Sequence, residues 1–150
     1  GAFDIEEYEK EDLRYFTGEI PSEIATIDSL RILDLNFNKL EGELPAGIYG
    51  MTKLRQLDLN HNLLEGELSK DIKNLQAMRY FQIDNNKFSG EIPDELGQLE
   101  ELINVDLHYN DFTGVVPPGL CVNENINRLT ADCDKTLCAC CTLCYSIDDE

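Results

Sequence analysis

The stretch LRILDLNFNKLEGELP starts at Leu30, and LRQLDLNHNLLEGELS starts at Leu54. The same register carries MRYFQIDNNKFSGEIP from Met78 and LINVDLHYNDFTGVVP from Leu102, so the chain repeats every 24 residues without an insertion. A fixed period of this length constrains the fold more than any other feature. One such unit cannot bury its apolar face alone, so the copies must stack and share a continuous core.

Each repeat has its own internal logic. Leu33 and Leu35, Leu57 and Leu59, Phe81 and Ile83, and Val105 and Leu107 alternate with polar neighbours, which predicts a short half-buried strand in every copy and one parallel sheet overall. Asn38, Asn62, Asn86 and Asn110 follow where the chain turns inward, and a buried amide can both donate to and accept from the backbone of adjacent turns. Leu40, Leu64, Phe88 and Phe112 then point inside, ahead of glycines that permit a tight bend. Pro45, Pro93 and Pro117 stiffen the return, and Ser69 breaks that series. Ile48 and Met51, Ile72 and Leu75, and Leu96 and Leu99 recur at three-residue spacing, which predicts a short 3-10 or helical turn on the convex side. Each fully buried aliphatic side chain contributes about 1.5–3 kcal/mol, so stacking supplies most of the stability.

The pattern L-x-x-L-x-L-x-x-N is the signature of leucine-rich repeats, and NKFSGEIPDELGQLEEL resembles the plant-type subfamily, which is mostly extracellular. The resemblance runs over residues 16–134. It implies an α/β solenoid: a right-handed coil with a parallel sheet on the concave face, often a second short strand after the bend, and use in binding peptides, proteins or glycans. The ending LTADCDKTLCACCTLCY resembles the cysteine-rich C-terminal caps of secreted or cell-surface leucine-rich repeat proteins of algae, diatoms in particular.

Three segments are expected: an N-terminal cap or truncated end at 1–15, repeats at 16–125 with the first one partial, and a last strand, cysteine-rich cap and acidic tail at 126–150. Extending the register backward puts Glu9 and Glu11 at buried strand positions, where unpaired charge is costly, which is why 1–15 departs from the repeat. Ile126, Leu129 and Ala131 keep the register of Leu102, Val105 and Leu107, and Asp134 falls where Asn110 predicts another asparagine. GAFDIEEYEK has neither the basic start nor the apolar stretch of a signal peptide, so either a signal was removed or the chain is a fragment.

Cys121, Cys133, Cys138, Cys140, Cys141 and Cys144 all lie in the last thirty residues. Three disulfides stapling the exposed end of the solenoid are expected, in an extracellular or other secretory-pathway compartment, with a zinc thiolate cluster as the alternative. Six cysteines allow fifteen pairings, and a ring between the neighbours Cys140 and Cys141 is strained. The formal net charge of −18 repels phosphate backbones and anionic headgroups, and no segment is apolar enough for membrane insertion. Nucleic acid is therefore an unsuitable partner, and basic or neutral ones remain.

Strands in register set side chains in columns on the exposed sheet face. The first column holds Ile32, Gln56, Tyr80, Asn104 and Arg128, the second Asp34, Asp58, Gln82, Asp106 and Thr130, and the third Asn36, Asn60, Asp84, His108 and Asp132. Phe37, His61, Asn85 and Tyr109 stand at the strand edge. The candidate ligand-binding residues are Asp34, Asp58, Tyr80, Gln82, Asp84, Asp106, His108, Tyr109 and Arg128, because carboxylates beside amphipathic rings suit a ligand carrying amines or guanidinium groups. The expected function is recognition of a peptide, protein or glycan on the concave sheet, with a structural scaffold using the convex face or the ends as the alternative. His61 and His108 lie about two strands apart, near 10 Å, and neither is paired with a nucleophile, so no enzyme activity is expected. No cofactor and no metal are expected, since calcium among Asp34, Asp58, Asn36 and Asn60 has no recognised loop and mixed columns do not suit ice.

Overall fold

The computed structural model describes residues 14–146. The expectation of a cap or truncated end at 1–15 lies almost wholly outside them, as does the end of the acidic tail. Among the described residues the chain winds into a solenoid carrying two parallel six-stranded sheets. The concave sheet contains β2 (Ile32–Asp34), β4 (Gln56–Asp58), β6 (Tyr80–Gln82), β8 (Asn104–Asp106), β10 (Arg128–Asp132) and β12 (Leu143–Tyr145). Its register follows the sequence period: Leu33 pairs with Leu57, Leu57 with Phe81, Phe81 with Val105, and Val105 with Leu129.

After each bend a strand of the second sheet forms: β1 (Thr17–Glu19), β3 (Lys39–Gly42), β5 (Leu63–Glu67), β7 (Lys87–Glu91), β9 (Asp111–Val115) and β11 (Thr136–Leu137). Here the pairing slips by two residues per turn, so that Gly18 faces Leu40 and Gly66 faces Phe88. Gly66 is fixed by two constraints. Its φ of +87° is left-handed, and a Cβ there would stand 2.7 Å from Cγ of Glu43, which lies across it.

The return arms are the 3-10 turns η1 (Ser22–Thr26), η2 (Ala46–Gly50), η3 (Lys70–Asn74) and η4 (Asp94–Gln98), followed by the single-turn helix α1 (Pro118–Cys121). Proline precedes all of these except η3, where Ser69 stands. Ser69 has the backbone N–H that proline lacks, and it donates this to the Tyr49 hydroxyl at 3.1 Å while its own hydroxyl accepts from Asp71 N. Burial pushes the Tyr49 phenol up, which keeps it protonated. The break in the proline series is thus matched by one tyrosine on the preceding turn.

Leu57, Phe81 and Val105 from the strands, Leu64, Phe88 and Phe112 behind the asparagines, and Ile72 and Leu96 from the return arms form one continuous core. The asparagine ladder runs beside it. Asn86 accepts from Leu64 N through Oδ1 at 3.0 Å and donates through Nδ2 to the carbonyls of Leu59 and Ile83. Asn62 and Asn110 repeat the arrangement.

The last turn departs from the register expected of it. Asp134 does not take the inward asparagine position; it is exposed in the turn between β10 and β11. The closing group is Asp132. On the preceding turn the N–H groups of Asn85 and Asn86 donate to the carbonyls of His108 and Tyr109, whereas those of Tyr109 and Asn110 donate to Asp132 Oδ1 and Oδ2, at 2.7 and 3.0 Å. One buried carboxylate replaces two carbonyls of a turn that is not built.

The six cysteines form three disulfides, Cys121–Cys140, Cys133–Cys144 and Cys138–Cys141, with Cα separations of 5.4, 5.3 and 5.7 Å. This displaces the zinc alternative, because no thiolate is left among the described residues. The first bridge ties α1 to the cap, and the second holds β12 beside β10.

Candidate ligand-binding face

The columns exist, but they are not uniformly open. At the N-terminal side Ile32 and Phe37 are 58% and 59% exposed, with Asp34 exposed beside them. Tyr80, Gln82, Tyr109 and Arg128 are half-buried. Asp58, Asp84, Asp106 and His108 are buried, although the columns were expected to stand on an exposed face, and Asp132 belongs to the end closure. Strands about 4.8 Å apart bring short polar side chains within bonding range of each other. They spend their polar groups on one another and cover themselves.

Asp58 illustrates this. Its Oδ1 accepts from Asn60 N and its Oδ2 from Asn36 Nδ2, both at 3.2 Å. Burial pushes its carboxyl up, the two hydrogen bonds pull it down, and the charges of Asp34 and Asp84 add a smaller upward push. Asp34, its register partner, accepts from Asn36 N.

Toward the C-terminal side hydrogen bonds link two neighbouring turns, and a longer ionic approach reaches a third. Arg128 Nε donates to Asp106 Oδ1 at 2.6 Å, and the Thr130 hydroxyl donates to the same oxygen at 3.0 Å. This bond keeps Arg128 charged, raising its already high value. With its proton committed, Thr130 Oγ1 accepts from Leu107 N and from His108 Nδ1, the latter at 2.7 Å; the histidine tautomer is assigned from this network. His108 Nε2 then faces Asp84 Oδ2 at 3.7 Å. Burial pushes His108 down, against the upward pull of Asp84, Asp106 and Asp132.

The aromatic groups form two clusters. Phe37 stacks on His61 at 4.2 Å, and His108 stacks on Tyr145 at 4.0 Å with Tyr109 edge-on to both. Tyr145 comes from β12, a sixth concave strand that the repeat pattern does not contain, and it roofs the end of the face. Phe37, His61, Asn85 and Tyr109 all hold φ of 52–55°, a left-handed conformation unusual for bulky residues. Backbone bonds to the next turn hold them there, such as His61 N to Asp84 O at 3.1 Å.

The two histidines are not separate, as the column spacing had suggested. His61 Nδ1 lies 4.0 Å from Asp84 Oδ2, the same oxygen that His108 approaches and that accepts from Asn85 Nδ2 at 2.9 Å. Strand twist and the left-handed turn at His61 swing its ring toward the next repeat. A hollow of about 480 Å³ opens over this point, lined by Asn60, His61, Gln82, Asp84, Asp106 and His108 among others. Asp84, His108 and Thr130 superficially resemble an acid, base and nucleophile. Thr130 is 0% exposed and its oxygen already holds three hydrogen bonds, so it presents no face to a substrate.

Residues 29–51, 53–75 and 77–99 each match the family model of the Leucine Rich Repeat. The chain is a leucine-rich repeat solenoid. Among solved structures, the chain is similar to the Arabidopsis receptor kinase HAESA, crystallised with the peptide hormone IDA and the co-receptor SERK1, at 33% identity and a TM-score of 0.77 over 83% of this chain. It is also similar to the ectodomain of the Arabidopsis thaliana receptor kinase GASSHO1/SCHENGEN3, in complex with CASPARIAN STRIP INTEGRITY FACTOR 2, at 32% identity and a TM-score of 0.73 over 79%. The ectodomain of SOBIR1 from the same plant matches at 27% identity and a TM-score of 0.70 over 75%. The chain spans 20%, 14% and 60% of those three chains. No curated protein matches the sequence at a significant level. No helix among the described residues of the leucine-rich repeat chain is long and apolar enough to cross a membrane.

Proposed function

We propose that the chain is a non-enzymatic recognition module of an extracellular or secretory compartment, docking a basic or neutral peptide segment along the N-terminal and central part of its concave sheet. The observation that carries this reading is the open strip of Ile32, Asp34 and Phe37, running into the half-buried Tyr80 and Gln82. Exposed apolar and aromatic surface beside carboxylates suits an extended segment carrying both apolar and cationic side chains. Solved relatives in the same fold are held with peptide hormones, which favours a peptide over a glycan. The disulfide cap, which resembles those of secreted algal leucine-rich repeat proteins, fits an oxidising compartment.

A displayed random-peptide library tests the reading directly. Peptides selected on the wild-type protein are expected to lose binding about tenfold or more on an Ile32→Glu, Phe37→Glu variant that keeps its thermal midpoint, since the two most exposed apolar contacts of the strip are removed. Equal binding to both proteins would assign the docking to another face and leave the scaffold alternative in place.

A further inference from the structure

Asp84 is unlike the other buried carboxylates of the face. Asp106 is neutralised by Arg128 at 2.6 Å, Asp132 is saturated by two backbone N–H groups, and Asp58 holds one backbone N–H and one amide. Asp84 is 7% exposed, and its Oδ2 has one amide donor, Asn85, and two imidazoles at 3.7 and 4.0 Å. Among the described residues no arginine or lysine is paired with it. Its oxygen opens onto the hollow of about 480 Å³, ample room for a side-chain head group and part of the chain that carries it.

The geometry points to a binding site for one guanidinium or ammonium group of a ligand at Asp84, with His61 as a movable and His108 as a fixed built-in competitor for the carboxylate. The inference rests on the concave face being the docking surface and adds the chemistry of one pocket within it. His61 is the movable competitor. Its side chain is 44% exposed, and its ring is held by Phe37 stacking and a 3.2 Å contact with Asn60 Oδ1 rather than by burial. His108 is fixed by Thr130 and Tyr145.

The groups facing this pair are Asp58 and His61 from one turn, Asp84 and its own amide neighbour, Asp106, His108 and Tyr109 from the next, and Arg128, Asp132 and Tyr145 beyond. Four carboxylates against one arginine leave a net negative hollow while both imidazoles are neutral. An imidazole that takes a proton beside Asp84 gives the same hollow a cation of its own. A cationic ligand and protons therefore compete, and by linkage ligand binding must make both imidazoles harder to protonate. Burial already disfavours charge on His108.

The test uses the full chain with its disulfides intact and the probe acetyl-Gly-Arg-Gly-amide, with the citrulline tripeptide as a neutral isostere. The chain has two histidines, so their ring C–H resonances report the site without labelling. The arginine probe is expected to bind about tenfold more tightly than citrulline near neutrality, a difference of one charge-assisted pairing. It should lose about fivefold in affinity between pH near 7.5 and pH near 5, and lower both histidine titration midpoints. Asp84→Asn should abolish the preference for arginine, and His61→Gln should cut the pH effect to about twofold or less.

Equal binding of the two probes, an unchanged preference in Asp84→Asn, or an unchanged pH slope in His61→Gln would overturn the site. Failure here is distinguishable from failure of the docking reading. Library peptides that still depend on Ile32 and Phe37 but ignore Asp84→Asn keep the concave surface and remove only this pocket.

Discussion

The first and last turns of the solenoid face the same problem with different chemistry. In the first, Phe16 is 67% and Ile27 48% exposed, and Asn38, the first rung of the asparagine ladder, is only half-buried. In the last, Leu129, Thr130 and Ala131 are buried beside a strand held by a disulfide, and Asp132 closes the open N–H groups of the turn before it. A stack of identical units has no reason to end anywhere, so its ends must be closed by something outside the repeat. The described residues show one such closure, made of covalent bonds and a carboxylate rather than of added apolar surface.

The contrast between ends and interior can be broken by substitution. Phe88→Ala, at the centre of the stack, should lower unfolding free energy by about 3–5 kcal/mol, against less than about 1 kcal/mol for Phe16→Ala, as measured by urea denaturation. Similar costs for the two would mean the first turn is as tightly packed as the middle. Asn86→Ala orphans Leu64 N and two carbonyls in a buried setting and should cost about 3 kcal/mol or more, at about 1–3 kcal/mol per group. Asn38→Ala, partly solvated, should cost about 1 kcal/mol in the same assay.

Replacing Cys133 and Cys144 together with serine opens a loop of 11-residue separation and should cost about 2–3 kcal/mol. Amide exchange should quicken in β12 and β10 while β4 and β6 keep their protection. If exchange rises everywhere, the cap and the repeats unfold as one unit. The smallest effect concerns Asp58. Its folded carboxyl titrates above the unfolded one, so the folded state holds more protons in that window and wild-type stability falls as pH rises through it. Asp58→Asn should flatten this fall of stability with rising pH, as urea denaturation at stepped pH would show. His108 has the opposite sign. Its folded value is pushed down, so the stability it contributes is present above the ordinary histidine value and is lost as pH falls below it.

Much of this architecture was legible in the sequence, because the period fixes the register. Leu33, Leu57, Phe81, Val105 and Leu129 share one row simply by being 24 residues apart, and the inward asparagines follow from the same count. What was not legible depends on distance rather than order. The spacing gave no hint that Asp58, Asp84 and His108 would be buried, because mutual hydrogen bonding across curved neighbouring strands decides it. The strand Leu143–Tyr145 is three residues long, and only its bridge and its pairing with β10 define it. The 24-residue count points to Asp134 for the asparagine position and sets Asp132 in a concave column. The turn formed by Cys133, Asp134 and Lys135 turns Asp134 outward and leaves Asp132 beneath the preceding turn.

The row of left-handed residues carries a consequence for how such a chain diversifies. At Phe37, His61 and Tyr109 the backbone would suit glycine or asparagine, as Asn85 does, and each bulky occupant costs on the order of 1–2 kcal/mol relative to that choice. Selection for heat resistance alone should therefore push these three sites toward small residues. How far a randomised population resists that drift when a ligand is supplied would measure what the rings are kept for.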